Sequence, residues 1–261
     1  MSTILELQHV SEVFGGLTAV DDVSFEVERG SLVALIGPNG AGKTTLFNAI
    51  TSVVPPTSGR VLLHTEQGTV ELNKKAAYQV AKLGLSRTFQ NIRLFADMSV
   101  RDNVAVAMTS SYRESFVATM LRLPSFYKKE AAVRERADQL LADFDLTPYA
   151  DTEAGNLPYG EQRRVEIVRA LATSPQVIFL DEPAAGMNPE ETADLMRLIR
   201  KLQSDYHVTV VLIEHDMSLV MNLAQRIFVL DHGKLIADGT PDEIKANEEV
   251  VSAYLGGGVH A

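Results

Sequence analysis

Residues 37–45, Gly37-Pro38-Asn39-Gly40-Ala41-Gly42-Lys43-Thr44-Thr45, carry the pattern G-x-x-x-x-G-K-[ST]. This combination of glycines, an ammonium and hydroxyls suits the grip of a phosphate group. The glycines let the backbone N–H groups of Gly40, Gly42, Lys43 and Thr44 converge on phosphate oxygens with no Cβ in the way. Lys43 is placed to reach β- and γ-phosphates, and the Thr44 hydroxyl to bind Mg²⁺. The apolar run Leu32–Ile36 in front reads as a strand, and Leu46–Ile50 behind as a helix. That context adds the unpaired donors and positive dipole end of a helix N-terminus. The bland alternative is a chance glycine turn beside an unrelated lysine, and the flanking strand and helix weigh against it. The chain is expected to bind a nucleoside triphosphate.

A second constellation is Val177-Ile178-Phe179-Leu180-Asp181-Glu182. An apolar strand ending in carboxylates puts them at the carboxyl edge of a sheet, where open α/β sheets bind ligands. Asp181 is then the expected partner of Mg²⁺. Glu182 is suited to polarise a water for in-line attack on a γ-phosphate. The plain alternative is that the two carboxylates only cap the turn at Pro183.

The elements that position these groups follow from periodicity. Ile4–Val10 and Val23–Val27 alternate apolar and polar residues as half-buried strands do. Leu32–Ile36, Val177–Leu180 and Val208–Ile213 are continuous apolar runs, the pattern of strands covered on both faces. Arg60–Leu63 and Thr69–Leu72 read as a hairpin around Glu66-Gln67-Gly68, and Leu85–Phe89 as a short strand ending at Gln90-Asn91. From there to about Phe144 the pattern is helical, with Val133, Ala137, Leu140, Leu141 and Phe144 on one face. Phe116, Met120, Leu121, Leu123 and Phe126 form an apolar set near Pro124, read as packing in a helical subdomain or as partner contact. After the break at Gly155–Gly160, helices are expected over Glu161–Thr173, from Asn188-Pro189-Glu190-Glu191 to Ser204, and over Met217–Gln225. Arg226–Leu230 and Lys234–Ala237 flank the hairpin signal Asp231-His232-Gly233, and Thr240 caps a last short helix. The expected fold class is α/β, a P-loop NTPase (RecA-like) with a mainly parallel core sheet, an N-terminal antiparallel β subdomain and an inserted α-helical subdomain. Residues 1–89 and 157–261 would form the nucleotide-binding core with its β subdomain, and 90–156 the helical subdomain and coupling region.

Composition narrows the class. The 261 residues are 46% hydrophobic and 22% charged, ordinary for a globular chain with a sizeable core. A net charge of −10 repels a phosphate backbone, so no nucleic-acid partner is expected. There is no cysteine, which removes disulfides and thiolate metal sites and suits a reducing cytoplasm. Met-Ser-Thr opens directly onto Ile4-Leu5-Glu6-Leu7, so no signal peptide is expected. No apolar run approaches the about 18 residues of a membrane span, so any membrane role would run through a partner.

With these motifs in order, the chain resembles the ATP-binding subunits of ABC transporters over essentially its whole length. Gly37–Thr44 matches the Walker A motif of that family, and Val177–Asp181 followed by Glu182 matches Walker B. Gln90 matches the Q-loop glutamine, Phe14 in Val13-Phe14-Gly15-Gly16 the aromatic that stacks on adenine, Ala184-Ala185-Gly186-Met187-Asn188 the D-loop, and His215 the switch histidine. The resemblance implies ATP and Mg²⁺, with Thr44, Gln90 and Asp181 at the metal. It also implies hydrolysis carried by Glu182, His215, Gln90 and Lys43. The signature motif departs from the usual Leu-Ser-Gly-Gly-Gln, reading Leu157-Pro158-Tyr159-Gly160-Glu161. In the family this segment binds the γ-phosphate of ATP held by the opposite subunit, and Pro158 offers neither hydroxyl nor N–H. The amides near Tyr159 and Gly160 and the helix dipole remain available. His9, His64, His207, His232 and His260 have no comparable context.

Within the family, the chain is most similar to the larger ATPase subunit of bacterial branched-chain amino-acid importers. The similarity rests on Leu157–Gly160 with Arg163-Arg164, on Ala184–Pro189, on Ile213–Met217, on the stretch from Met108 to Glu130 with Leu123-Pro124-Ser125-Phe126, and on Ala253-Tyr254-Leu255-Gly256. It implies a peripheral position on the inner face of the cell membrane. The implied partners are a second, nonidentical ATPase (with homodimerisation open in isolation), transmembrane permease subunits and, indirectly, a binding protein. Import of urea or short amides, lipopolysaccharide export, and a soluble ATPase acting on nucleic acid or ribosomes stay open as alternatives, as does a nonhydrolysing nucleotide-gated scaffold.

Overall fold

The computed structural model describes residues 2–109 and 124–256. Strands β1 (Thr3–Phe14) and β2 (Leu17–Glu28) pair antiparallel, and β4 (Ser58–Thr65) and β5 (Gly68–Glu71) extend them into a sheet ordered β2-β1-β4-β5. Val23, Phe25 and Val27 alternate with exposed neighbours along β2, as a sheet with one wet face requires. The second sheet contains β3 (Leu32–Ile36), β6 (Leu85–Arg87), β7 (Val177–Asp181), β8 (Thr209–Ile213), β9 (Arg226–Asp231) and β10 (Lys234–Gly239). Its order is β10-β9-β3-β8-β7-β6, parallel throughout except where β10 meets β9.

The three central strands are apolar at nearly every position because both faces are covered. Leu32, Ala34 and Ile36 of β3, Ile178 and Leu180 of β7, and Val210 and Leu212 of β8 enter one core. They share it with helices α3 (Val100–Thr109), α4 (Pro124–Asp143), α5 (Tyr159–Leu171), α6 (Pro189–Ser204) and α7 (Met217–Leu223). Val33, Leu35, Val177, Phe179, Val211 and Ile213 enter a second core with the antiparallel sheet and helix α1 (Lys43–Ile50). Each buried Val, Leu, Ile or Phe in these layers contributes about 1.5–3 kcal/mol. The strand order sets the site: β8 lies between β3 and β7, so the segments after these three strands emerge side by side on one edge.

The caps expected from sequence are present. Asn188 Oδ1 accepts from the N–H groups of Glu190 and Glu191, with Glu191 returning a bond to Asn188, and Thr240 does the same for α8 (Pro241–Ala246). The expected apolar face of α4 is also seen, with Ala137, Leu140 and Leu141 buried beside Val100, Val104 and Met108.

Other expectations are corrected. Residues 90–99 are loop rather than the expected helix, and β6 ends at Arg87, short of the expected Phe89. The buried Asn103 takes the groups a helix would use: its Oδ1 accepts Phe95 N–H at 2.9 Å, and its Nδ2 donates to the carbonyls of Phe95 and Ser99 at 3.0 Å. The short helix α2 (Ala77–Lys82) falls outside the expected elements, and α5 begins at Tyr159 rather than Glu161. Thr65 pairs with Gly68, which shortens the first hairpin tip to Glu66-Gln67. The side chains of Phe116, Met120, Leu121, Leu123 and Phe126 lie outside the described residues.

Candidate nucleotide site

The glycine loop leaves β3 through Gly37, whose φ is 151°. A Cβ there would lie 2.0 Å from the Leu230 carbonyl oxygen, so only glycine lets the loop turn out beside β9. The β9–β10 hairpin steadies the loop: Gly233 N–H donates to the Ala41 carbonyl at 3.0 Å. Lys43 and Thr44 open α1, where N–H groups have no intrahelical acceptor. The Lys43 side chain is buried and curls back, donating from Nζ to the carbonyls of Gly37 at 2.8 Å and Pro38 at 2.9 Å. Burial pushes its ammonium below the usual lysine range, with Glu182 and Asp181 opposing. Phe14 stands 45% exposed where β1 turns into β2. A Cβ on Gly42 would lie 2.4 Å from the Ala19 carbonyl oxygen, so β2 abuts the loop.

Asp181 ends β7 almost fully buried. Its Oδ2 accepts from Arg87 Nη2 at 2.8 Å, while Arg87 Nη1 donates to Asn48 Oδ1 at 2.7 Å and Thr51 Oγ1 at 3.2 Å. Arg87 therefore ties the carboxylate strand to the helix behind the glycine loop. Glu182 follows with φ 46°, an unusual backbone conformation for a residue with a side chain. Its N–H donates to the Ile213 carbonyl at 2.9 Å, which turns the side chain off the sheet edge. There Gln90 Nε2 donates to Glu182 Oε2 at 3.0 Å, and His215 Nε2 lies 2.8 Å from Oε1. Gln90, Glu182 and His215, widely separated in sequence, thus form one cluster next to Lys43. A carboxylate held between an amide and an imidazole can orient a water molecule at a phosphate bound in the loop.

Glu214 supports this cluster from below. It is buried; its Oε1 accepts Ala184 N–H at 2.8 Å and its Oε2 accepts His215 N–H at 3.1 Å. Burial raises its pKa above the ordinary glutamate value, and the amides of Ala184, His215 and Asp216 counter that. Asp216 caps α7 by accepting from Ser218 and Leu219, which fixes the other side of His215.

Leu157 is buried and Pro158 is the N-cap of α5, with no side-chain cap bond. Tyr159 is exposed, and Gly160 packs so closely on α6 that a Cβ would lie 2.8 Å from Glu191 Oε1. Glu161 pairs with Arg164 at 2.9 Å. This segment does not join the Lys43–Glu182–His215 cluster of its own chain through any hydrogen bond or ion pair among the described residues. Arg87, Glu214, Arg163 and Glu166 were not singled out from sequence as site residues. The string Glu214-His215-Asp216 is the one visible signal among them, and its meaning depends on Ala184 approaching from another loop.

Among the described residues no three His, Asp or Glu side chains gather as a metal cage. No helix among them is long and apolar enough to cross a membrane.

The sequence pattern of the family described as ABC transporter matches residues 20–185, more than half of the chain. The chain belongs to the ABC transporter family. As an ATP-binding cassette of that family it binds and hydrolyses ATP to drive transport. A second pattern, described as branched-chain amino acid ATP-binding cassette transporter, matches residues 234–260 of the cassette. The cassette is 46% identical over 97% of its length to the high-affinity branched-chain amino acid transport ATP-binding protein BraF of Pseudomonas aeruginosa, covering 98% of that protein. It is 44% identical over 93% of its length to LivG of Escherichia coli, described in the same words, covering 94% of it. Among solved structures, an ATP-binding cassette of an ABC transporter in its ADP conformation superposes with a TM-score of 0.83 at 31% identity, covering 98% of this chain and 100% of that one. A dimeric cassette in a post-hydrolysis state with ADP and Pi gives 0.74 at 25% identity, covering 91% and 99%. The P-loop α/β fold expected from sequence is the fold of these cassettes.

Proposed function

We propose that this cassette powers the import of branched-chain amino acids, seated on the cytoplasmic face of the membrane against permease subunits. The observation that carries the reading is near-full-length identity of 46% and 44% to cassettes named for that transport, joined by the C-terminal match at residues 234–260. A binding protein would deliver the substrate, which never touches this chain. The cassette works as a pair, as in the dimeric post-hydrolysis relative, with a second related ATPase as partner and a homodimer as the form open to the isolated chain. Residues 1–89 and 157–261 act as the nucleotide-binding core and 90–156 as the helical subdomain that meets the permease.

The geometry supports a division of labour in hydrolysis. Phe14 stacks on the base. The amides of Pro38-flanking residues 37–45, including Asn39, Gly40, Ala41, Gly42, Thr44 and Thr45, surround the phosphates together with Lys43, which exchanges its two loop carbonyls for phosphate oxygens. Glu182 orients the attacking water, and Gln90 and His215, already bonded to it, read the presence of the γ-phosphate. Leu157, Pro158, Tyr159, Gly160 and Glu161 face the nucleotide of the partner. Mg²⁺ fits the donor set: among the described residues Asp181 Oδ1 takes no hydrogen bond while Arg87 holds Oδ2, and Thr44 offers a hydroxyl at the start of α1. One carboxylate, a hydroxyl and substrate phosphates are the usual surroundings of that ion, with the Gln90 amide within the same cluster. When bound, it neutralises charge developing on the phosphate oxygens.

Reconstitution tests the transport assignment. The cassette, its permease subunits and a binding protein in proteoliposomes should show ATP-dependent uptake of leucine, isoleucine or valine. ATP turnover coupled to another solute, with no uptake of these three, would overturn it.

A further inference from the structure

Arg163 is the largest fully buried side chain among the described residues, and ATP chemistry gives it no task. Its Nη1 donates to the Phe89 carbonyl and to Glu166 Oε2, both at 2.7 Å, and its Nη2 donates to the Gln90 carbonyl at 2.6 Å. Glu166 Oε1 in turn accepts Arg93 N–H at 3.1 Å. Two side chains one turn apart on α5 therefore hold three backbone groups of the loop after β6. A buried ion pair is weak evidence for stability, because apolar side chains of similar volume often serve as well. What the pair supplies is a fixed geometry between loop and helix.

The two ends of that connection are telling. Gln90 is held at its carbonyl by Arg163 and at its side-chain amide by Glu182. Tyr159, in the first turn of α5, lies with its hydroxyl 3.4 Å from Arg163 Nη2, and Gly160 beside it is pressed onto Glu191. We infer that Arg163, paired with Glu166, is a positioning residue that makes the Phe89–Arg93 loop and the first turn of α5 move as one body. A displacement of Gln90 at the nucleotide is then delivered, within the same chain, to the Tyr159-Gly160 segment. This rests on the reading of Gln90 as a γ-phosphate sensor given above.

Hydrogen–deuterium exchange of the full chain, with and without magnesium and the nonhydrolysable analogue AMP-PNP and at a concentration where size-exclusion chromatography shows a monomer in both conditions, tests it without a partner subunit. In the parent chain the analogue should slow exchange over residues 37–46 and change it over residues 157–165, each by about threefold or more. R163M should keep the first response and lose the second. Should R163M fail to fold by circular dichroism, R163M/E166L, which removes both charges together, takes its place with the same expectation. A parent chain that protects 37–46 but shows no response over 157–165, or a folded variant that keeps that response, overturns the inference. Failure of the underlying readings looks different. Without protection of 37–46 in the parent, the nucleotide site itself is wrong; a Q90A chain with an intact response over 157–165 removes Gln90 as the sensor.

Discussion

His215 Nε2 lies 2.8 Å from one oxygen of Glu182 while Gln90 holds the other at 3.0 Å, so the carboxylate is oriented before any phosphate arrives. Orientation of this kind is what a group that aligns water requires. Glu182→Gln preserves shape and the contact to Gln90 or His215 but removes the negative charge. Steady-state ATPase measurements should show a loss of about two orders of magnitude or more, the scale of a missing general base. Titration with a fluorescent ATP analogue should show binding retained. Near-normal turnover in this variant would take Glu182 out of the reaction.

Arg87 connects Asp181 to Asn48 and Thr51, and the Arg87 and Asp181 side chains are both almost fully buried. Arg87→Met leaves the Asp181 carboxylate buried without its cation. Breaking a buried pair from one side costs about 3–5 kcal/mol, so urea denaturation should show a loss of that order. Replacing Asp181 by Asn in the same variant should recover part of it. A variant as stable as the parent would mean that solvent reaches Asp181.

How much of this was legible in the sequence depends on how local each interaction is. The strands β3 and β7 announce themselves because burial on both faces demands unbroken apolar residues. Helix α6 does so because Asn188, Pro189 and Glu191 satisfy its first turn from within four consecutive residues. Arg87 and Arg163 carried no such signal: their partners Asp181 and Phe89 are 94 and 74 residues away. The loop at 90–99 departs from the helical expectation for the same reason. Its backbone bonds go to Asn103, Glu166 and Arg163, and side-chain acceptors from other elements leave no periodic trace. Glu182 follows from its place at the end of an apolar strand, whereas Gln90 and His215 are nominated from sequence only by resemblance; the strand order that places β8 between β3 and β7 brings the three together.

Glu214 gives the cassette a pH signature. Burial raises its folded-state pKa above the ordinary 4.5, so folding favours its protonated form. Its contribution to stability is complete below the unfolded pKa and is lost as pH rises through the raised folded pKa. Glu214→Gln removes this titration while keeping an acceptor for Ala184 N–H. Denaturation from pH 4 upward, measured for both chains at about half-unit steps, should therefore show the parent losing stability relative to the variant as pH climbs above 4.5. A constant difference across that range would mean that Glu214 titrates alike in both states.

Pro158 sits at the N-cap of α5 with no side chain to accept the free N–H groups of the first turn. Its carbonyl does take Gln162 N–H at 3.0 Å, so the helix forms, but the amides of Tyr159, Gly160 and Glu161 keep their capacity for an outside acceptor. A phosphate from a facing subunit is such an acceptor, and the helix dipole favours its charge. Pro158→Ser adds a hydroxyl that either caps the helix within the chain, contributing about 0.5–2 kcal/mol, or joins the amides on the phosphate. The two roles separate experimentally. If the hydroxyl faces the phosphate, ATP should trap the dimer of the Glu182→Gln chain at lower concentration when Pro158→Ser is added, by size-exclusion chromatography across an ATP series. If it only caps the helix, the melting temperature rises and the ATP series does not move. The exposed position of Tyr159 leaves the first turn open to an outside acceptor. The shift in the ATP series is therefore the expected result, and its absence would mean that the proline costs the paired site nothing.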